Sequence, residues 1–160
     1  MKKRYVIGIG LAGVLVVGFL AVQHLLNSPR NTFERLVMKP IPNSVRFIEQ
    51  GKFAAMDSRL LVLWFQISKA DLQTLLDNQH FTPIDESKEF KRWDQNSKDY
   101  IQIQKEEFLS LWRQRIRSST KLDVNFTNTW QIYTLKEGSG EKYIFSDTSG
   151  TEVVFVAEVH

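Results

Sequence analysis

The sequence contains no cysteine among its 160 residues. This absence excludes disulfide bonds, catalysis by a thiolate and zinc sites built from cysteine. It also excludes the acylated cysteine of a bacterial lipoprotein, so any membrane anchor must be a segment of the polypeptide itself. Because a chain without cysteine fits any compartment, the composition does not locate the protein.

The motifs of the common catalytic and nucleotide-binding sites are also missing. The chain has no HExxH, no P-loop, no GxGxxG and no GxSxG. Gly138-Ser139-Gly140 indicates a turn and not a nucleophile elbow, because no strand-to-helix step surrounds it. We therefore predict no catalytic residue, no cofactor and no metal ion, and a protein that is not an enzyme.

Basic residues exceed acidic residues only at the amino terminus. The chain carries 21 Lys and Arg against 18 Asp and Glu, with a sequence pI of about 9.2. Lys2, Lys3 and Arg4 supply three of the basic residues, so the chain from Tyr5 onward is electrically balanced. This distribution argues against nucleic acid as a partner.

The amino-terminal segment is long and apolar. Residues Tyr5 to Val22 contain no charged or amide side chain, and the stretch to Leu26 would span roughly 33 Å as a helix. Since a bilayer core is ~30 Å thick, we predict a single transmembrane signal-anchor. The alternatives are a cleaved signal peptide and a buried hairpin helix. Phe19 makes a poor context for cleavage at Ala21, and a cut after Gly18, with Val16 two residues earlier, fits but leaves a short apolar stretch.

Two features of this segment bear on its orientation and its contacts. The short basic tail favours a cytoplasmic amino terminus, which places the following domain outside the cytoplasmic membrane, on the periplasmic side in a bacterium. Gly8 and Ala12 have the small-xxx-small spacing that lets two helices approach closely. We therefore expect the lipid bilayer as one partner, and a protein partner in the membrane or a second copy of the chain as another.

The remaining chain divides into a linker and one globular domain. Residues 1–26 form the predicted tail and anchor, 27–43 a linker with a membrane-proximal helix that starts at Asn31, and 44–160 the domain. Within it the patterns predict α+β structure, with a mostly antiparallel sheet of about five strands and two or three helices. The predicted strands are Ser44–Glu49, Arg59–Ile67, Tyr100–Ile103, Thr129–Leu135, Glu141–Ser146 and Thr151–Val159, and the predicted helices are Thr32–Met38, one that follows Ser68, and Glu106–Arg117.

Three details of this pattern can be checked directly. Gln50-Gly51 is interpreted as the end of the first strand, and Phe81 to Asp99 as a long loop with a short helix around Lys88 to Trp93. The strands of Arg59–Ile67 and Thr151–Val159 are apolar on both alternating faces, as in covered central strands. Two short helices cover one face only, so we expect another segment or a partner chain on the second face, and favour a partner.

A few side chains are candidates for contacts with other molecules. Trp93 lies beside basic residues, where an aromatic ring suits a partner or a lipid interface, although it could equally cover the core. Arg113 and Arg117 share a helix face and could meet anionic lipid headgroups, although a solvated helix end explains them better. His80 fits a helix end better than an acid–base pair with Asp77 or Asp85.

An acidic loop is a weaker candidate for a cation site. Asp85, Glu86 and Glu89 could offer oxygen ligands to a divalent cation, but basic residues interleave with them and the spacing matches no calcium loop.

These observations predict a non-enzymatic, membrane-anchored accessory or interaction protein, such as a small subunit of a membrane complex. The alternative is an extracytoplasmic ligand or cell-envelope binder whose mouth is the segment from Phe81 to Tyr100. A second alternative is an enzyme with an unrecognised site at His80 or at paired carboxylates.

Overall fold

The computed structural model describes residues 28–54, 59–84, 90–94, 97–127, 129–137 and 140–159. The chain divides after Ile41 into two compact units. In the described residues no helix is both long enough and apolar enough to cross a bilayer. The predicted anchor from Tyr5 to Leu26 lies outside the described residues, as do Gly8 and Ala12.

The described part of the first unit consists of helix α1 (Pro29–Leu36) and the chain that follows it. The Ser28 hydroxyl accepts a hydrogen bond from the Asn31 amide at 3.3 Å, and Pro29 occupies the first helical position. The predicted helix start at Asn31 is therefore wrong, because Ser28-Pro29 supplies both the capping oxygen and a residue with no amide hydrogen to satisfy.

The second unit holds eight strands and two helices among its described residues. They are β1 (Arg46–Ala54), β2 (Arg59–Gln66), α2 (Lys69–Asn78), β3 (Thr82–Pro83), β4 (Phe90–Asp94), β5 (Asp99–Ile103), α3 (Lys105–Thr120), β6 (Gln131–Glu137), β7 (Gly140–Ser146) and β8 (Glu152–Val159). Six strands form a sheet in the order β1-β2-β8-β7-β6-β3, and β4 and β5 form a separate ribbon. All pairings are antiparallel. The predicted α+β class and antiparallel sheet are thus confirmed, with six strands in the sheet where about five were expected.

Helix α2 begins as its sequence predicts. The Ser68 hydroxyl accepts from the Asp71 amide at 3.2 Å, and the Asp71 carboxylate in turn accepts from the hydroxyls of Ser68 and Ser44. This arrangement satisfies amide groups that the first helical turn leaves unpaired and places a negative charge at the positive end of the helix. The stripe of Leu72, Leu75 and Leu76 is buried, as predicted.

Two predictions about local structure are wrong. The strand β1 does not end at Gln50-Gly51 but continues to Ala54. Gly51 does not mark a turn: it lies where helix α3 packs closely on the strand and only a residue without a side chain fits. The described residues of the short helix predicted around Lys88–Trp93 form strand β4 instead, which pairs with β5, the predicted strand Tyr100–Ile103, in a two-stranded ribbon. Its end pair, Phe90 and Ile103, lies in register and is buried.

The core against α3 is built from one face of the main sheet. Register places Val62, Val156 and Tyr143 side by side on this face, with Leu60, Val154, Phe145 and Ile132 around them. Leu109, Trp112 and Ile116 of α3 complete the buried cluster, together with Phe90 and Ile103 of the ribbon. Aromatic rings line it continuously, as in the Phe90–Phe108 stack with ring centres 4.7 Å apart.

Both faces of strand β8 are buried within the single chain. Val154 and Val156 on the α3 side and Val153 and Phe155 on the other side are all fully buried. The favoured expectation that a partner chain covers the second face is therefore wrong. The prediction failed because it counted only the coverage that two short helices provide.

Candidate interaction site

Strand β1 forms a long edge of the main sheet. It runs from Arg46 to Ala54 and is the outermost strand of the described sheet, next to β2. At the other edge of the sheet, the short strand β3 and the Ile84 amide cover β6 from Ile132 to Thr134. The outermost strand of a sheet can be extended by a further strand, so β1 is the edge that a partner could extend.

The exposed apolar side chains of the described residues lie on this same strand. The large hydrophobic residues that remain exposed in that part of the chain are Ile48, at 42%, and Phe53, at 41%. Single exposed apolar residues are common, but these two lie on one outermost strand, where a partner strand would cover them. Their position therefore marks the β1 edge as the candidate interaction site.

The regular part of the edge is shorter than the strand. The register with β2 shifts between Phe47 and Glu49, so Ile48 is an extra, bulged residue. Bulges and charged residues on an edge discourage indiscriminate strand pairing. A partner strand can therefore align regularly with the six residues from Glu49 to Ala54, while Ile48 lies at the end of that stretch.

The register assigns each residue of this stretch to one face of the sheet. Glu49, Gly51 and Phe53 lie opposite Trp64, Val62 and Leu60, which belong to the face that α3 covers. Gln50, Lys52 and Ala54 lie on the opposite face. The negative charge of Glu49 and the positive charge of Lys52 are thus presented on different faces of one edge.

Helix α3 packs directly against strand β1 at Gly51. A methyl group on Gly51 would overlap the Thr120 side chain in the last turn of α3. The Thr120 hydroxyl donates to the Ile116 carbonyl at 2.7 Å, and Ile116 is fully buried. The edge strand is therefore held by a close backbone-to-helix contact, which favours a pre-formed binding edge.

A second group of polar residues lies under α3, at the far end of the same face. Glu141 and Glu158 are directly opposite each other across β7 and β8. Arg115 forms an ion pair with the buried Glu158, and Lys136 forms one with Glu141, with nitrogen and oxygen 3.4 Å apart. The Tyr143 hydroxyl donates to Glu141 at 2.5 Å. Burial, and then the hydrogen bond to Glu141, raise the pKa of Tyr143 above its ordinary value.

This polar group is built to balance charge. Two carboxylates facing each other on neighbouring strands destabilise a sheet unless cations or donors engage them. Here each carboxylate has its own cation, and Arg115 also lies over the Trp112 ring with its guanidinium carbon 5.2 Å from the ring centre. The packing of α3 on the sheet therefore accounts for this polar group.

A cavity of about 290 Å³ opens at the opposite edge of the sheet. Its walls come from the β3 region, the first strand of the ribbon, the start of α3 and the start of β6; the residues are Pro83, Ile84, Phe90, Lys105, Gln131, Ile132 and Tyr133. The Tyr133 hydroxyl donates to the Gln131 side-chain oxygen at 2.7 Å, which leaves the Gln131 amide nitrogen as a donor. Burial raises the pKa of Tyr133 above its ordinary value.

The structure separates the predicted contact residues. Arg113 and Arg117 both approach the Asp123 carboxylate, at 3.6 Å and 3.9 Å, so one negative charge already faces the two cations. Trp93 lies on β4 in register with Tyr100, but its side chain is outside what the structure describes. The three residues therefore do not form one described site.

The remaining candidates are placed as follows. His80 directly follows α2, is exposed, and donates its backbone N–H to the Asp77 carbonyl, while the Asp77 carboxylate accepts from Gln73. Asp85, Glu86 and Glu89 lie outside the described residues. Within the described ranges, no three His, Asp or Glu side chains group in a way that could hold a metal ion.

Sequence reasoning missed Ile48 and Phe53. It ended the strand at Gln50-Gly51, so Phe53 fell outside any element and Ile48 counted as an ordinary strand residue. The available signal was the mixed polar and apolar character of residues 46–54, which is typical of an edge strand rather than a central one.

Comparison with known proteins adds no family to this description. No protein-family model, no curated protein and no solved structure matches this chain.

Proposed function

We propose that this protein is a membrane-anchored interaction module that binds a protein partner through the β1 edge of its sheet. The observation that carries the proposal is that the exposed Ile48 and Phe53 both lie on the outermost strand of the described sheet. The apolar segment from Tyr5 to Leu26 would hold the domain at a bilayer, with the domain on the extracytoplasmic side.

Attachment close to a membrane would strengthen binding of a partner at the β1 edge. Only the short linker 27–43 separates the proposed anchor from the domain. A tethered module meets a partner in the same membrane at a high effective concentration, so a modest interface suffices. Gly8 and Ala12 would add a helix contact inside the bilayer.

The proposal is tested by photo-crosslinking in native membranes that contain the full chain. Benzoylphenylalanine replaces Ile48 or Phe53 on the edge, and in the control it replaces Lys136, an exposed residue near the opposite edge. We expect one predominant adduct from both β1 positions and none from the control position. Equal adducts from all three positions, or none from β1, would contradict the proposal.

The cavity next to Pro83 and Phe90 favours a second candidate function, the binding of a small ligand. Three of its lining residues, Pro83, Ile84 and Phe90, belong to the segment that was expected to form the mouth of a ligand binder, and its volume of about 290 Å³ is just below the ~300–1,000 Å³ range of ligand sites. Its lining combines apolar and polar residues, so with the Gln131 amide as a donor it suits a small molecule that has an apolar part and a hydrogen-bond acceptor.

This second function has its own test. Ligand-observed NMR with benzamide and benzoate as probes should show contact with the full chain in detergent, and Gln131→Trp, which fills the mouth, should abolish it. Thr129→Trp, at an exposed residue that is not part of the cavity wall, is the matched control. Signals that persist in Gln131→Trp would exclude the cavity as the site.

A further inference from the structure

The cavity beside β3 and β6 contains a polar pair, Gln131 and Tyr133, whose geometry bears on what the cavity can bind. This inference rests on the second candidate function, since it concerns the class of ligand that the same cavity takes. The two residues are separated by one position on β6. Side chains so spaced along a strand project from the same face, which lets them meet.

The direction of the hydrogen bond between these two side chains follows from its length. The Tyr133 hydroxyl oxygen and the Gln131 side-chain oxygen are 2.7 Å apart. This is the usual separation for an O–H···O hydrogen bond, whereas N–H···O bonds cluster at about 2.9–3.0 Å. The phenol therefore donates, and the Gln131 amide group is turned with its oxygen toward Tyr133.

The Tyr133 phenol is a donor at a fixed position. Burial raises the pKa of Tyr133 above its ordinary value of 10.0, because it disfavours the charged phenolate, so the hydroxyl keeps its proton at neutral pH. Its backbone is fixed as well, since Tyr133 pairs with Pro83 on one side and with Ile144 on the other. The orientation of the Gln131 amide must therefore adapt to the phenol.

The amide group of Gln131 has two chemically different ends, and Tyr133 engages one of them. The other end is the amide nitrogen, which has two N–H donors and no acceptor. Among the residues that the structure describes, the hydrogen bond of the Gln131 side chain is the one with Tyr133. The pair thus offers a donor at the cavity wall, and a ligand must supply the acceptor.

The size and the walls of the cavity limit the rest of the ligand. An engineered protein cavity of ~150 Å³ holds benzene, so about 290 Å³ accommodates one small ring with a substituent of a few atoms. Ile84, Phe90 and Ile132 contribute apolar wall. Lys105, the charged residue of the wall, already has an interaction within the chain, so an anion would compete for it while losing its own hydration. These properties favour a neutral ligand.

We propose that Tyr133 is a positioning residue that sets the ligand class of the cavity, namely a neutral molecule with one small ring and a carbonyl oxygen, such as an aryl ketone. Tyr133 acts through Gln131, whose amide nitrogen donates to the carbonyl oxygen of the ligand. Without the phenol the amide turns freely and presents either end, so the cavity no longer distinguishes acceptors from donors.

The experiment compares two neutral probes of similar size, with the full chain in detergent at pH 7. Acetophenone carries a carbonyl acceptor, whereas aniline is mainly a donor. Ligand-observed NMR titrations give the ratio of the two dissociation constants, a quantity that a purely structural role of Tyr133 would not change. Because one neutral hydrogen bond separates the probes, we expect acetophenone to bind the unaltered chain roughly two- to tenfold more tightly.

Two substitutions should change this ratio in different ways. Tyr133→Phe removes the orienting donor, so the two probes should bind within about twofold of each other. Gln131→Glu keeps the shape of the side chain but offers oxygen at both ends, so aniline should become the tighter ligand. Tyr143→Phe removes a phenol that is not part of the cavity wall, and as the matched control it should leave the ratio unchanged.

The contrary results separate the two proposals. Probes that do not bind the unaltered chain, or that bind Gln131→Trp equally well, overturn the cavity as a ligand site and this inference with it. Binding that Gln131→Trp abolishes, but whose ratio is unmoved by Tyr133→Phe or still favours acetophenone in Gln131→Glu, overturns the role of Tyr133 and leaves the ligand site standing.

Discussion

At the scale of single residues, the most constrained contact is the ion pair of Arg115 with Glu158. The Glu158 side chain is 4% exposed, whereas that of Arg115 is 44% exposed and rests on Trp112. A buried carboxylate that loses its cation leaves an uncompensated charge in a region of low dielectric constant. The pair therefore matters less for the attraction it contributes than for the penalty that appears when it is broken.

Arg115→Met should destabilise the domain by about 2–3 kcal/mol, at or below the low end of the range for broken buried pairs because Arg115 is partly exposed. Urea titration of the full chain in mild detergent, followed by tryptophan fluorescence, measures the change. Arg117→Met is the control, since its ion pair with Asp123 is exposed, and we expect less than about 1 kcal/mol. If Arg115→Met with Glu158→Leu is no more stable than Arg115→Met alone, the explanation through the buried charge is wrong.

Asp71 makes the stability of the domain depend on pH under acidic conditions. The hydroxyl hydrogen bonds from Ser44 and then Ser68 lower the pKa of Asp71 from its ordinary value of 3.8. A carboxyl whose pKa is lower in the folded state stabilises the fold above its unfolded pKa, and the contribution disappears as pH falls through the folded pKa.

Asp71→Asn should therefore lower the urea midpoint at pH 7, and the gap to the unaltered chain should close as the pH is brought below 3.8. Midpoints measured at pH 7 and at several pH values below 3.8 provide the test, since the contribution is lost only between the unfolded pKa and the lower folded pKa. Asp77→Asn, whose carboxylate bonds only to the exposed Gln73 among the described residues, is the control. A gap that stays constant with pH would show that the Asp71 charge is not involved.

At the scale of elements, the contact of α3 with the edge strand depends on one missing side chain. Gly51→Ala should destabilise the domain by about 1–3 kcal/mol, because the new methyl group overlaps Thr120 and the helix must shift. Urea titration measures the loss, and Thr120→Gly in the same chain should recover part of it by removing the clash. An unchanged stability in Gly51→Ala would contradict the close contact.

Central elements could be predicted from the sequence and peripheral ones could not. Arg59–Gln66 and Glu152–Val159 are apolar on both faces, a pattern that only a covered central strand produces, and both were predicted. The Ser68 cap likewise fixed the start of α2 locally. Strand β5 matches the predicted strand Tyr100–Ile103, but its partner β4 was missed because the charged residues around it resemble a loop, and the packing of the buried end pair against α3 is a long-range effect.

The candidate site was harder to predict than the fold. Which strand lies at an edge depends on the order of strands in the sheet, and the order β1-β2-β8-β7-β6-β3 is a property of long-range pairing. The mixed polar and apolar character of residues 46–54 indicates an edge strand, but it does not say where that strand ends or that Ile48 and Phe53 stay exposed. Gly51 is required by its contact with Thr120 of α3, which is distant in sequence. From the neighbouring residues alone it was predicted to end the strand.

At the scale of the whole molecule, the proposed anchor makes a sharp prediction. Full-length protein should stay in the membrane pellet after extraction with alkaline carbonate. Leu15→Arg with Val16→Arg should release it, since each Arg at the centre of a span costs about 2.5–3.5 kcal/mol on insertion scales. His24→Arg with Asn27→Arg, at the predicted interface, should leave it membrane-bound. Release of the unaltered chain by carbonate would refute the anchor.

Strand β8 pairs with β2 on one side and with β7 on the other. A nascent chain that has not yet presented residues 152–159 therefore has β1 and β2 on one side of a gap and β6 and β7 on the other. Pairing of segments so far apart in sequence is slow, because the intervening chain must be ordered first. The six-stranded sheet therefore cannot be completed before residues 152–159 have been synthesised.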